Sequence, residues 1–230
     1  MKKVQLLAAL SAVLIGFCAC SGNKLPSLSG NEAREAFASS KSVRITGKRT
    51  RIHYSSDVDA GGSIAGHVKE KGIINSRYVY SIDGKKQFYV ADPWFDKPPF
   101  DNPDNGATIA YYDMDKNCVG YMQEVYRTEK GIGDYFFFDA GSNPKKYYIP
   151  RNGWSLHGAV IYDTDGNEAG RIDVRRSGRK WYSVRISLDD GAAEELSELD
   201  RVAMLYETER LITTARRGSF YGIKKIGSDD

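Results

Sequence analysis

Cysteine is scarce in this 230-residue chain, and its placement excludes one means of stabilising a fold. Of the 3 cysteines, Cys18 and Cys20 sit near the N terminus, so Cys118 stands alone in the body of the chain. No disulfide can close there, and packing has to hold the domain together. Histidine is equally sparse: His53, His67 and His157 are scattered, and no His-Glu-x-x-His occurs, which argues against the common zinc pattern. The Gly-x-Ser-x-Gly elbow of serine hydrolases is missing too, although Ser155 and His157 lie close in sequence. An excess of charge of one sign is also lacking. The formal net charge is +3, of which Lys2 and Lys3 supply two units, so nothing points to nucleic acid. No cofactor motif is present.

What the chain does carry begins at its N terminus. Lys2 and Lys3 precede an apolar run from Val4 to Phe17, then Cys18-Ala19-Cys20 and the polar Ser21-Gly22-Asn23-Lys24. The run is shorter than the roughly 20 apolar residues that cross a hydrocarbon core, so a retained transmembrane helix is the poorer reading. A basic start, a short apolar stretch and a small residue before a cysteine resemble the signal of bacterial lipoproteins. That resemblance implies cleavage after Ala19 and acylation of Cys20, with plain secretion or cleavage at Cys18 as the alternative. Each buried methylene contributes about 0.8 kcal/mol, so several acyl chains hold a protein on a membrane essentially permanently. Ser21 is compatible with sorting to the outer membrane, facing the periplasm. The expected organisation is a signal peptide over 1–19, a flexible tether over 20–30 and a single β-rich domain over 31–230.

With 15 Tyr and 23 Gly, the body reads as ordered β structure whose turns are marked by glycine. A short helix is expected over Asn31 to Ser40, with Ala33, Ala36 and Phe37 on one side. Strands are expected near Val43 to Tyr54, Gly72 to Ile82, Gln87 to Ala91, Thr108 to Asp113, Val119 to Arg127 and Tyr135 to Asp139. Further strands follow near Lys146 to Ile149, Ala159 to Asp163, Gly170 to Arg175 and Trp181 to Leu188. One long helix is expected over Ala192 to Arg217, with an apolar stripe of Leu196, Leu199, Val202, Leu205, Tyr206 and Ile212. Phe220 to Ile226 reads as a final strand. The fold class is therefore mainly β with one long C-terminal helix: an antiparallel barrel, or a strongly curved sheet packed on or around that helix.

One unit is repeated. Tyr112-Asp113-Met114-Asp115-Lys116-Asn117-Cys118-Val119-Gly120 matches Tyr162-Asp163-Thr164-Asp165-Gly166-Asn167-Glu168-Ala169-Gly170 fifty residues later. Asp and Asn side chains that bond local amides, with Gly permitting a bulge, describe a hairpin. Together with the late helix around Leu199-Asp200-Arg201-Val202, these segments resemble the tubby C-terminal-like superfamily, which includes phospholipid scramblases. The resemblance implies a twelve-stranded barrel threaded by that helix, over roughly Val43 to Ile226.

Candidate sites are few. Arg44, Lys48, Arg49, Arg51 and His53 make the first strand basic; as structure this reads as a solvated edge strand, and as function as contact with anionic headgroups or an acidic partner. Trp94, Phe95 and Phe100 stand in a long proline-rich loop that either seals a barrel mouth or binds a ligand. Asp113, Asp115, Asn117 and Glu124 occupy positions one, three, five and twelve of a calcium loop. Cys118 replaces the turn glycine of that loop and strands flank it, so the hairpin reading is preferred and no metal is expected. The functional expectation is a membrane-anchored envelope lipoprotein with a non-enzymatic binding or scaffold domain, contacting lipid or an envelope protein. The alternative is an envelope enzyme whose site is assembled from scattered residues.

Overall fold

Alternating apolar and polar residues put one face of each strand inward, and antiparallel pairing closes those faces on each other. The computed structural model describes residues 25–49, 54–71, 77–91, 106–127, 132–177 and 181–216. Its strands are β1 (Ser42–Arg49), β2 (Tyr54–Ala60), β3 (Ser63–Lys71), β4 (Arg77–Ile82), β5 (Lys85–Ala91), β6 (Thr108–Tyr112) and β7 (Cys118–Val125). Then come β8 (Asp134–Asp139), β9 (Pro144–Ile149), β10 (Trp154–Ser155), β11 (Gly158–Asp163), β12 (Glu168–Ser177) and β13 (Trp181–Leu188). Helix α1 (Gly30–Ser39) precedes them, and α2 (Asp190–Glu195) and α3 (Glu198–Arg216) follow.

Strands β1 to β9 pair in succession, as do β10 to β13, β13 returns to β1, and β9 pairs with β11, so the wall is a closed twelve-strand antiparallel barrel. The short β10 lies beside β11 as an extra strand. Through this closure β1, expected as an edge, is paired on both sides with β13 and β2. Its basic residues therefore decorate the middle of a wall.

Turn chemistry sets the strand breaks. Residues Val43 to Tyr54, expected as one strand, are two, since Tyr54 pairs back onto Arg49. The β2–β3 hairpin turns through Gly61 and Gly62, both at positive φ (64° and 84°), the geometry of a two-residue primed turn. That Gly-Gly signal is present in the sequence, yet β3 was not among the expected strands. The repeated hairpin forms as expected: Asp113 and Asp163 each accept from the amides two and four residues on, at 2.8–3.0 Å. A third copy, not recognised in the sequence, joins β8 to β9, where Asp139 accepts from the Asn143 amide at 2.9 Å. The antiparallel order places all three of these turns at the same end of the barrel.

The long C-terminal helix is interrupted. Asp189 caps α2 by accepting from the Ala192 amide (2.7 Å), the chain opens at Leu196, and Ser197 and Asp200 cap α3 reciprocally. Ser-x-x-Asp is a capping box, and it ends one helix and starts another where periodicity alone reads straight through.

The apolar stripe expected on this helix packs into the core through Leu196, Val202 and Leu205, but burial is not confined to it. Asp200, Arg201, Val202, Ala203, Met204 and Leu205 are all buried, as are Glu207, Thr208, Glu209 and Leu211. Consecutive burial covers every face of a helix with 3.6 residues per turn. Val202 and Leu205 share one cluster with the inward Ile45, Tyr80, Met122 and Ile186, so α3 packs against the inner side of the wall. Phe37 and Ala33 of α1 belong to that cluster as well. Burying a side chain such as Phe37 contributes about 1.5–3 kcal/mol. Of the stretch expected as a tether, Pro26 and Leu28 are hydrogen-bonded to Ile64 of β3 at 2.8 Å. No helix among the described residues is long and apolar enough to cross a membrane.

Candidate functional site

Three strands that meet across the closure of the barrel build the most distinctive polar surface. On β1, Val43 and Ile45 point inward, so Arg44 and Thr46 face out; Val184 and Ile186 orient Ser183 and Arg185 of β13 likewise. Ile172 does the same for Asp173 and Arg175 of β12. Register then aligns them: Arg44 lies opposite Arg185, and Arg185 opposite Asp173, while Ser183 lies between Thr46 and Arg175. These six residues line an open groove of about 320 Å³ on the outer wall.

The electrostatics of this groove are unusual. Like charges directly opposite on neighbouring strands repel, and Arg44 and Arg185 are such a pair. Their row continues to Asp59 on one side and Asp173 on the other, giving Asp, Arg, Arg, Asp across four strands. None of Arg44, Arg175 and Arg185 makes a side-chain hydrogen bond or ion pair among the described residues. Three planar forks with free donors, beside two hydroxyls, form a surface suited to carboxylate or phosphate oxygens.

A second polar constellation lies inside. The Tyr135 hydroxyl donates to Glu207, and the Arg210 guanidinium pairs with the same carboxylate. Burial pushes the Glu207 carboxyl above its ordinary value, partly offset by Arg210 and Tyr135. Burial also holds the Tyr135 hydroxyl protonated far above its usual range. At the other end of α3, Lys145 pairs with Asp200 at 2.6 Å. Arg201 donates to the carbonyls of Phe37, Ser40, Ala38 and Ala193 at 2.6–3.2 Å. Asp200, Arg201 and Glu207 thereby each gain partners where they are buried, which offsets the cost of burying them, while Thr208 Oγ1 and Arg201 Nε have no hydrogen-bond partner among the described residues.

Compared with known proteins, the chain matches no family model, no curated protein and no solved structure. The site must be judged on its own chemistry.

Of the residues singled out in the sequence, Arg44 and Lys48 are exposed on the outer wall. The Arg49 side chain and Cys20, Arg51, His53, Trp94, Phe95 and Phe100 lie outside the described residues, as does the final strand expected over Phe220 to Ile226. The calcium-loop spacing is not realised. Both Asp113 oxygens are engaged by Asn117 at the turn, while Glu124 sits at the far end of β7, about 20 Å along the strand. Glu124 is buried and accepts from the amides of Ala107 and Gly133 at 3.0 and 2.7 Å. It splices the starts of β6 and β8. Ser155 and His157 serve a turn: the Ser155 hydroxyl accepts from the His157 amide at 3.2 Å and donates to the Gly158 carbonyl at 3.3 Å. Cys118 is half-buried against an outer aromatic cluster in which Tyr121 and Phe138 stack at 4.7 Å. Among the described residues no group of His, Cys, Asp and Glu is arranged to hold a metal.

Sequence reasoning missed Arg175 and Arg185. Their outward direction was legible in Val174-Arg175 and Val184-Arg185-Ile186, but their meeting with Arg44 depends on β13 pairing with β1.

Proposed function

We propose that this chain is a lipid-anchored envelope protein whose barrel is a non-enzymatic binding or scaffold domain of tubby-like architecture. What supports the reading is that α3 packs against the inner side of the wall, with Asp200 to Leu205 buried in succession. With the interior packed by the chain's own helix, the surface left for a partner is the outer wall and the ends. The closed twelve-strand wall with a late buried helix supports the tubby-like likeness, and Cys18-Ala19-Cys20 supports acylation at Cys20. The anchor would keep the domain close to its membrane, because the chain from Cys20 to Leu25 reaches at most about 18 Å when extended. The outer membrane, facing the periplasm, is the compartment in which this arrangement would work, with lipid or an envelope protein as the partner.

Metabolic labelling with radioactive palmitate tests the anchor. The wild-type chain should take up label and partition into detergent, and Cys20→Ala should do neither. Label retained in the Cys20→Ala chain, or absent from the wild type, would refute it.

A further inference from the structure

We infer that the groove between β1, β13 and β12 is a docking surface for an extended acidic segment of a partner protein, with carboxylates at alternate positions. This rests on the reading of the barrel as a binding domain and names its partner's chemistry. Arg44 and Arg185 share one row of the wall, and Arg175 stands one same-face row further along, opposite Ser183. Same-face residues on a strand recur about every 6.7 Å, and an extended peptide presents its alternate side chains at the same interval. A Glu-x-Glu or Asp-x-Asp segment laid along the strands therefore brings one carboxylate to the Arg44 and Arg185 forks and the next to Arg175. The hydroxyls of Thr46 and Ser183 stand in the same row as Arg175, available to the peptide's remaining polar groups.

Charge complementarity favours a protein segment over a bilayer. A flat anionic surface would meet the whole row, including Asp59 and Asp173, which flank the two arginines and repel it. A narrow carboxylate side chain enters between them.

The test uses the full chain carrying Cys20→Ala, so that acylation does not contribute, with the acetylated hexapeptide Glu-Ser-Glu-Ser-Glu-Ser as probe and vesicles containing phosphatidylglycerol as the comparison. Saturable peptide binding should shift amide resonances of Arg44–Thr46, Asp173–Arg175 and Ser183–Arg185. Binding should weaken at least tenfold in 0.5 M salt on the order expected for screened charges. The Arg44→Glu/Arg185→Glu chain should lose binding at least tenfold while keeping its circular dichroism and melting transition. Absence of peptide binding, shifts elsewhere on the barrel, or vesicle binding that those substitutions abolish while the peptide fails to bind would each overturn the proposal. Palmitate labelling is unaffected by any of these results, so failure of the groove and failure of the anchor are separable.

Discussion

Arg201 is the residue whose replacement should reveal most about how this barrel is held closed. Its guanidinium is fully buried and donates to four carbonyls, three at the C-terminal end of α1 and one in α2. Those carbonyls have no further turn of helix to bond them, so Arg201 ties both short helices to α3. A hydrogen bond to a charged group contributes about 1.5–3 kcal/mol, but the four are not additive. Breaking a buried charged network usually costs about 3–5 kcal/mol, and that is the loss expected for Arg201→Met. Set against a total of about 5–15 kcal/mol, this is a large fraction of the stability. With a urea dependence of about 2–3 kcal/mol per molar, the unfolding midpoint should fall by roughly 1.5 M. Arg201→Lys retains the charge but not the fork and should fall in between. Amide exchange in α1 should accelerate most, because its C-terminal carbonyls lose their partner. A loss below about 1 kcal/mol, or exchange that rises equally in every strand, would refute the reasoning.

Three further outcomes follow from the interior and the turns. The Glu207 carboxyl is raised by burial above its reference of 4.5, so the folded chain holds that proton more tightly than the unfolded one. Its contribution is complete below that reference and is lost as pH rises through the folded value; Glu207→Gln should therefore flatten a decline in melting temperature above pH 4.5, and an unchanged slope would be inconsistent. The Asp113, Asp139 and Asp163 carboxyls have the opposite sign. Bonds from Asn117, Asn143 and Asn167 lower them below 3.8, so their contribution is present above that value and disappears as pH falls through the lowered one. Replacing all three by Asn should reduce the loss of stability below pH 3.8 in an acid titration followed by circular dichroism. Gly158 has φ +144°, and a Cβ there would stand 1.7 Å from the Ile172 carbonyl oxygen. Gly158→Ala should cost at least about 2 kcal/mol, whereas Gly166→Ala, at φ +85° in open space, should cost about 1 kcal/mol; equal denaturation midpoints would contradict this.

Much of the wall was legible locally, because side-chain direction in a strand has a period of two. Val43 and Ile45 or Val184 and Ile186 declare their inward face without reference to a neighbour. The repeated Asp-x-x-x-Asn turn was legible for the same reason, since Asp113 bonds amides only two and four residues away. Short signals compete with longer patterns: Gly61-Gly62 makes a tight turn outside any expected strand pair, and Ser197-Glu198-Leu199-Asp200 breaks what periodicity presents as one continuous helix. On the C-terminal helix the apolar stripe is core, and the difference lies in its other faces. Asp200, Arg201 and Glu207 fall outside that stripe, and nothing nearby in sequence announces the distant partners that satisfy them.

Sequence alone thus determined which segments turn, which faces are apolar and that a helix closes the described chain. Only the tertiary structure decided that the helix is buried on every side over Asp200 to Leu205, and that Arg44, Arg175 and Arg185 share one groove. The physical reason is distance along the chain. Burying Arg201 is tolerable because the Phe37 carbonyl, 164 residues away, lies within hydrogen-bond reach, and the arginine groove exists because β13 comes back to pair with β1. Both conditions depend on closure of the barrel, which no local period can specify.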